Sequence, residues 1–190
     1  ITDGTIVTAD IGSIAASKIV GGDLLAARLR VGTNHTLTGT WATIAGGSNN
    51  TATALCAAIG GGFSNSTADN YGTIAGGCLN SVESTYAFIG GGNGNSATGT
   101  LATVTGGEAN IAGGWASTVS GGRFNVASGY RGAIGGGYAN SATASYSTVA
   151  GGYVNGATSS YATVAGGYAN AAGGSASSVT GGWLNTALGD

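Results

Sequence analysis

The sequence predicts an all-β protein, a parallel β-solenoid (β-roll) of ten 15-residue coils, and three observations carry that prediction. A Gly-Gly pair recurs every 15 residues without insertion, from Gly46-Gly47 to Gly181-Gly182. Two residues before each pair stands a β-branched residue: Ile44, Ile59, Ile74, Ile89, Val104, Val119, Ile134, Val149, Val164 and Val179. Three residues after it comes an asparagine in every copy: Asn50, Asn65, Asn80, Asn95, Asn110, Asn125, Asn140, Asn155, Asn170 and Asn185. One such unit is too short to enclose a core, but stacked copies bury a continuous one, which is the solenoid solution.

Composition narrows the classes further. The chain has 190 residues with 40 glycines, no proline, no methionine and only 6% charged residues, unlike an ordinary globular domain. Disordered low-complexity tracts avoid β-branched residues, whereas here Ile or Val returns at one phase throughout. A net charge of −2 with five basic residues leaves no row of cations to neutralise phosphates, so nucleic acid is not an expected partner. No apolar run is long enough to span a bilayer. The chain begins at Ile1 with no charged-then-apolar leader and reads as a piece of something longer. Cys56 and Cys78 fall at different phases and read as two unpaired small apolar residues.

Residues 1–40 stand apart as an N-terminal shaft or adaptor segment, with residues 41–190 as the ten-repeat domain. The first part holds Asp3, Asp10, Lys18, Asp23, Arg28 and Arg30, half of the twelve charged residues of the chain. Loosely recurring Ile6, Ile11, Ile14, Ile19 and Leu24 beside turn formers suggest short strands. The stretch from Leu24 to Val31 fits a turn or two of helix as well as a strand.

From Trp41 each unit divides into two short strands and two turns. Alternation puts Ala42 and Ile44 on one face and Trp41, Thr43 and Ala45 on the other, so Ile and Val face inward. Gly46-Gly47 supplies positive φ for the first corner. The asparagines form a structural ladder, each amide bonding neighbouring backbone or the same asparagine of the next coil. A second strand follows around Ala52, Ala97, Ala112, Ala127, Ala142, Ala157, Ala172 and Ala187, and Gly99, Gly114, Gly129, Gly174 and Gly189 mark the second turn. At ~4.8 Å per coil the rod is about 48 Å long. One Ile or Val and two alanine-sized residues per coil make a small core, and association into a symmetric oligomer is the expected second source of burial.

The unit from Tyr146 to Ala157, Tyr-Ser-Thr-Val-Ala-Gly-Gly-Tyr-Val-Asn-Gly-Ala, resembles the head repeat of trimeric autotransporter adhesins. That resemblance covers residues 41–190 and implies a left-handed β-roll in a homotrimer. The unit here departs from the family pattern in its 15-residue length and in Gly-Gly where the family has Ile-Gly. The leading stretch from Ile1 to Ile11, with Ala16-Ser17-Lys18-Ile19, is similar to tail-fibre proteins of bacteriophages and related contractile injection systems.

No residue set points to catalysis. His35 is the only histidine and reads as a polar turn residue, while Asp69, Glu83 and Glu108 occupy different phases of different coils. Calcium-binding β-rolls need an aspartate after the glycines, and that phase carries neutral asparagine, so no metal or other cofactor is expected. Thr43, Thr73, Thr103, Thr118, Thr148 and Thr163 give one broken file, short of the paired files of an ice-binding face. The aromatic residues are the informative outward feature. One file holds Trp41, Tyr71, Tyr86, Tyr146 and Tyr161; the file after the glycines holds Phe63 and then an unbroken Tyr138, Tyr153, Tyr168 and Trp183. They serve either to stack coils and seal contacts between chains or, for the last four, to contact a receptor.

With the resemblance, these features lead to the expectation of an extracellular structural and adhesive fibre protein. It would be a homotrimeric tail-fibre or adhesin head meeting a glycan or protein receptor on a host cell, carried by a virion, an injection system or a bacterial surface. The alternative is a non-adhesive spacer or coat subunit.

Overall fold

A computed structural model describes residues 31–189 of the chain. The first 30 residues of the expected shaft, with the tail-fibre-like stretch, lie outside the described residues. The described chain is all-β and has no helix. Its strands are two residues long, beginning with β1 (Thr36–Leu37), β2 (Thr43–Ile44) and β3 (Thr51–Ala52). The odd-numbered strands, ending at β21 (Thr186–Ala187), form one parallel sheet of eleven; the even-numbered ones, ending at β20 (Ser178–Val179), form another of ten. Every pairing joins residues 15 apart, as in Ile44 with Ile59 and Ala112 with Ala127. A third ladder of single bridges runs from Thr33 through Ser48 and Phe63 to Trp183. Two of the three ladders reach upstream of Trp41, to Thr36 and to Thr33, and the even-numbered sheet begins at Thr43.

The predicted phases decide what lies between the sheets. The Ile/Val column from Ile44 to Val164 and the alanine column of the second strand from Ala52 to Ala172 are fully buried, joined by Ala42, Ala57, Ala87, Ala102 and Ala162, while Ala187 in the last coil is partly buried. Thr67 and Val82 replace alanine in the second column and are equally buried. Ser117 lies inside too, and its hydroxyl has no partner among the described residues.

The corners differ from expectation in one respect. Positive φ was expected at the glycine pair, yet among the described residues twenty that are not glycine also adopt it, between +51° and +61°. They occupy two places in each coil: the one held by Trp41, Cys56, Tyr71 and Tyr86, and the one held by Asn49, Ser64, Leu79 and Phe124. The reason lies in the hydrogen bonding. From Asn49 onward each of these residues turns its N–H to the carbonyl of a residue in the preceding coil, as Tyr146 does to Tyr130 at 2.7 Å and Val154 to Tyr138 at 2.8 Å. The left-handed conformation costs about 1–2 kcal/mol per residue, and the inter-coil bond it permits satisfies that residue's own backbone donor.

Candidate functional site

The asparagine ladder stands at the expected place, and of the two kinds of bond expected of its amides those to backbone predominate. Each side chain works mainly on backbone. Asn140 donates from Nδ2 to the carbonyls of Gly136 (2.8 Å) and Gly152 (2.9 Å), the first in its own coil and the second in the next. Its Oδ1 accepts the N–H of Asn155 at 2.9 Å. Direct amide-to-amide bonds add to this at Asn80, Asn125 and Asn170, 3.1 to 3.2 Å from the preceding asparagine. The column from Asn50 to Asn170 is buried, and Asn185 keeps its bonds to Gly181 and Asn170 while exposed. His35 is more than the turn residue expected of it. It is 4% exposed and stands one period before Asn50. Its Nδ1 accepts the Asn50 N–H at 3.1 Å, and Nε2 lies 2.8 Å from the Val31 carbonyl. The ring thus serves in the neutral tautomer as an asparagine substitute, accepting with one nitrogen and donating with the other.

The four residues predicted as a receptor-contacting line do lie in one line along one edge of the rod. Tyr138 and Tyr153 stack at 4.8 Å and 8°, Tyr153 and Tyr168 at 5.1 Å and 1°, and Trp183 tilts 52° from Tyr168 at 5.3 Å. Phe124, one position off the file, extends the line edge-on at 5.7 Å from Tyr138. Arg123 lies 4.6 Å over the Phe124 ring and pairs with Glu108 at 3.0 Å. Neighbouring coils therefore cover the faces of Tyr153, and what this line presents outward is ring edges and phenol hydroxyls. Trp183 is 71% exposed and carries no ring on its far side among the described residues.

The opposite edge carries a second line. Tyr71 and Tyr86 stack at 4.8 Å, and Tyr146 and Tyr161 at 5.0 Å, as a shared file suggests. Trp115 and Tyr130 join this edge, stacked at 4.9 Å, although they fall one position before the file. A search restricted to one phase misses them, as it misses Phe124; the signal was adjacency to the corner residue. No tyrosine hydroxyl hydrogen-bonds to any described residue, so these lines keep their polar tips free for water or a partner.

The remaining candidates stay apart. Asp69 bonds Thr85 and the Asn70 N–H, Glu83 bonds Ser81, and Glu108 is taken by Arg123. Cys56 and Cys78 are free thiols. The threonine file of the even-numbered strands is interrupted by Ala58, Phe88 and Ala133. The described residues enclose no cavity, so any ligand would meet a ridge or a face. No known protein family matches the chain, and neither does any curated protein.

Proposed function

We propose that this chain is the attachment part of an extracellular fibre, a homotrimeric β-roll head whose aromatic edge meets a glycan or protein receptor on a cell surface. The observation that carries the reading is the line from Tyr138 to Trp183. It is a continuous set of rings, Tyr138 half-buried and Tyr153, Tyr168 and Trp183 exposed, whose tyrosine hydroxyls bond no described residue, on a rod whose described coils are hydrogen-bonded each to the next. Rings on a rigid support lose little entropy on binding, which is why Tyr and Trp dominate contact energies. The resemblance to adhesin heads and tail fibres supports the trimer and the setting, on a virion, an injection system or a bacterial surface.

The test replaces Tyr168 and Trp183 with serine and measures adsorption to susceptible cells alongside melting and light scattering. Lost adsorption by an intact oligomer supports the reading. Unchanged adsorption assigns the rings to stacking, and a stable monomer at micromolar concentration removes the trimer. One observation favours the alternative of a non-adhesive spacer: Tyr138, Tyr153 and Tyr168 spend their ring faces on one another.

A further inference from the structure

The second aromatic edge contains a fault, and a cation sits on it. Trp115 and Tyr130 stack at 8° in the file before the corner, and Tyr146 and Tyr161 stack at 1° in the corner file itself. The crossing from Tyr130 to Tyr146 is edge-on, 5.4 Å and 67°. Arg131 occupies the corner at this crossing, its guanidinium carbon 5.1 Å from the Trp115 ring, 5.5 Å from Tyr130 and 6.0 Å from Tyr146. Attraction to three ring quadrupoles orients the group. No described carboxylate pairs with it, because the one ion pair among the described residues is Arg123 with Glu108. The hydroxyls of Tyr130, Tyr146 and Tyr161 likewise bond no described residue.

Arg123 supplies the contrast on the opposite edge: it too lies over a ring, and its charge is already taken. An oriented guanidinium with unused donors matches a carboxylate, phosphate or sulfate in a two-point fork. Tyrosine hydroxyls repeating at the coil spacing of ~4.8 Å extend the site along the rod. That layout suits an extended polyhydroxylated chain. A nucleic acid needs a row of cations, and Arg131 has no cationic neighbour within its aromatic frame.

The geometry points to Arg131, framed by Trp115, Tyr130, Tyr146 and Tyr161, as a binding site for an acidic glycan. The anionic group takes the guanidinium and the sugar hydroxyls meet the phenol line. This inference rests on the attachment reading above and sharpens it to a charged saccharide.

The test uses the full 190-residue chain. Affinity is measured by calorimetry for polygalacturonate, for a sulfated polysaccharide and for neutral dextran, at low and physiological salt. The parent should bind an acidic polymer and not dextran, and the stronger of the two acidic arms identifies carboxylate or sulfate as the anion. Arg131→Gln should weaken binding about tenfold or more. Arg123→Gln should leave it within about twofold, because that cation is already paired. Arg131→Lys keeps the charge and loses the fork, so it should fall between Gln and Arg; it carries the test if the Gln variant fails to fold. Acidic polymers bound no better than dextran, or Arg131 variants binding like the parent, would overturn the site. Cell adsorption measured in parallel separates the two readings: adsorption without acidic-polymer binding removes this site alone. Acidic-polymer binding by a protein that adsorbs to no cell removes the attachment reading alone.

Discussion

Val154 is a β-branched residue at φ +57°, a backbone region in which its Cβ crowds the following carbonyl. The coil imposes that φ, since Asn49, Phe124 and Ala169 adopt it at the same place. Asn tolerates this region far better, so Val154→Asn should raise stability by about 1 kcal/mol, measured by urea unfolding. The half-exposed valine side chain gives up little burial in exchange. Asn140 gives the opposite sign. Its removal leaves the Gly136 carbonyl and the Asn155 N–H without their side-chain partner inside the rod. Asn140→Ala should cost about 3 kcal/mol, and Asn140→Asp more, because a carboxylate there would face two glycine carbonyls it cannot donate to. A melting curve matching the parent would contradict the bonding assigned to the column.

The glycine pair looks uniform in sequence, yet its two members do different work. At Gly152, with φ +93°, an added Cβ would overlap the Gly167 carbonyl oxygen and lie 2.5 Å from Asn155 Nδ2. At Gly151 the nearest atom to such a Cβ is 3.9 Å away and φ is outside the left-handed region. Gly152→Ala should therefore cost more than 3 kcal/mol or prevent folding, whereas Gly151→Ala should lie between neutral and about 1 kcal/mol stabilising. Thermal melting of the two variants side by side checks this; equal losses would mean that the corner needs both glycines. The second turn is looser. Gly99, Gly114, Gly129 and Gly174 add a bond from their N–H to the alanine carbonyl of the next coil's second strand, while Ala54, Asp69, Ser84, Ala144 and Ser159 stand at the same place in other coils.

Along the described rod each coil pairs only with its two neighbours, strand partners always standing 15 residues apart. Stability is then close to a sum of unit and interface contributions. Removing Tyr86 to Thr100 as one unit should leave a folded rod about 4.8 Å shorter, with a lower melting temperature and the same strand signature by circular dichroism. Removing Tyr86 alone should be far more damaging, since it shifts every later side chain between inside and outside against its neighbour coil. Small-angle scattering reads the length, and a unit deletion that unfolds the chain would show cooperativity beyond nearest neighbours. The described charges lie off the outer face of the even-numbered strands, so the rod offers that neutral face and its two aromatic edges, one of them carrying the Arg131 cation, to other copies or to a receptor.

The 15-residue period alone determined the solenoid, its inward Ile/Val and alanine columns and the line of Tyr138, Tyr153, Tyr168 and Trp183. In a stack of identical coils, equal phase in sequence is equal place in space, and few folds make that translation so direct. Tertiary structure alone decided what happens between adjacent phases and across coils. It put Trp115 and Tyr130 beside Tyr146 with Arg131 over the joint, because residues on either side of a corner share an edge that no single file reveals. It made His35 the first rung of the asparagine column, because two ring nitrogens can accept and donate where an amide does. It also placed left-handed conformations on Tyr, Val and Leu, because inter-coil hydrogen bonds outweigh a local preference that sequence reading assigns to glycine.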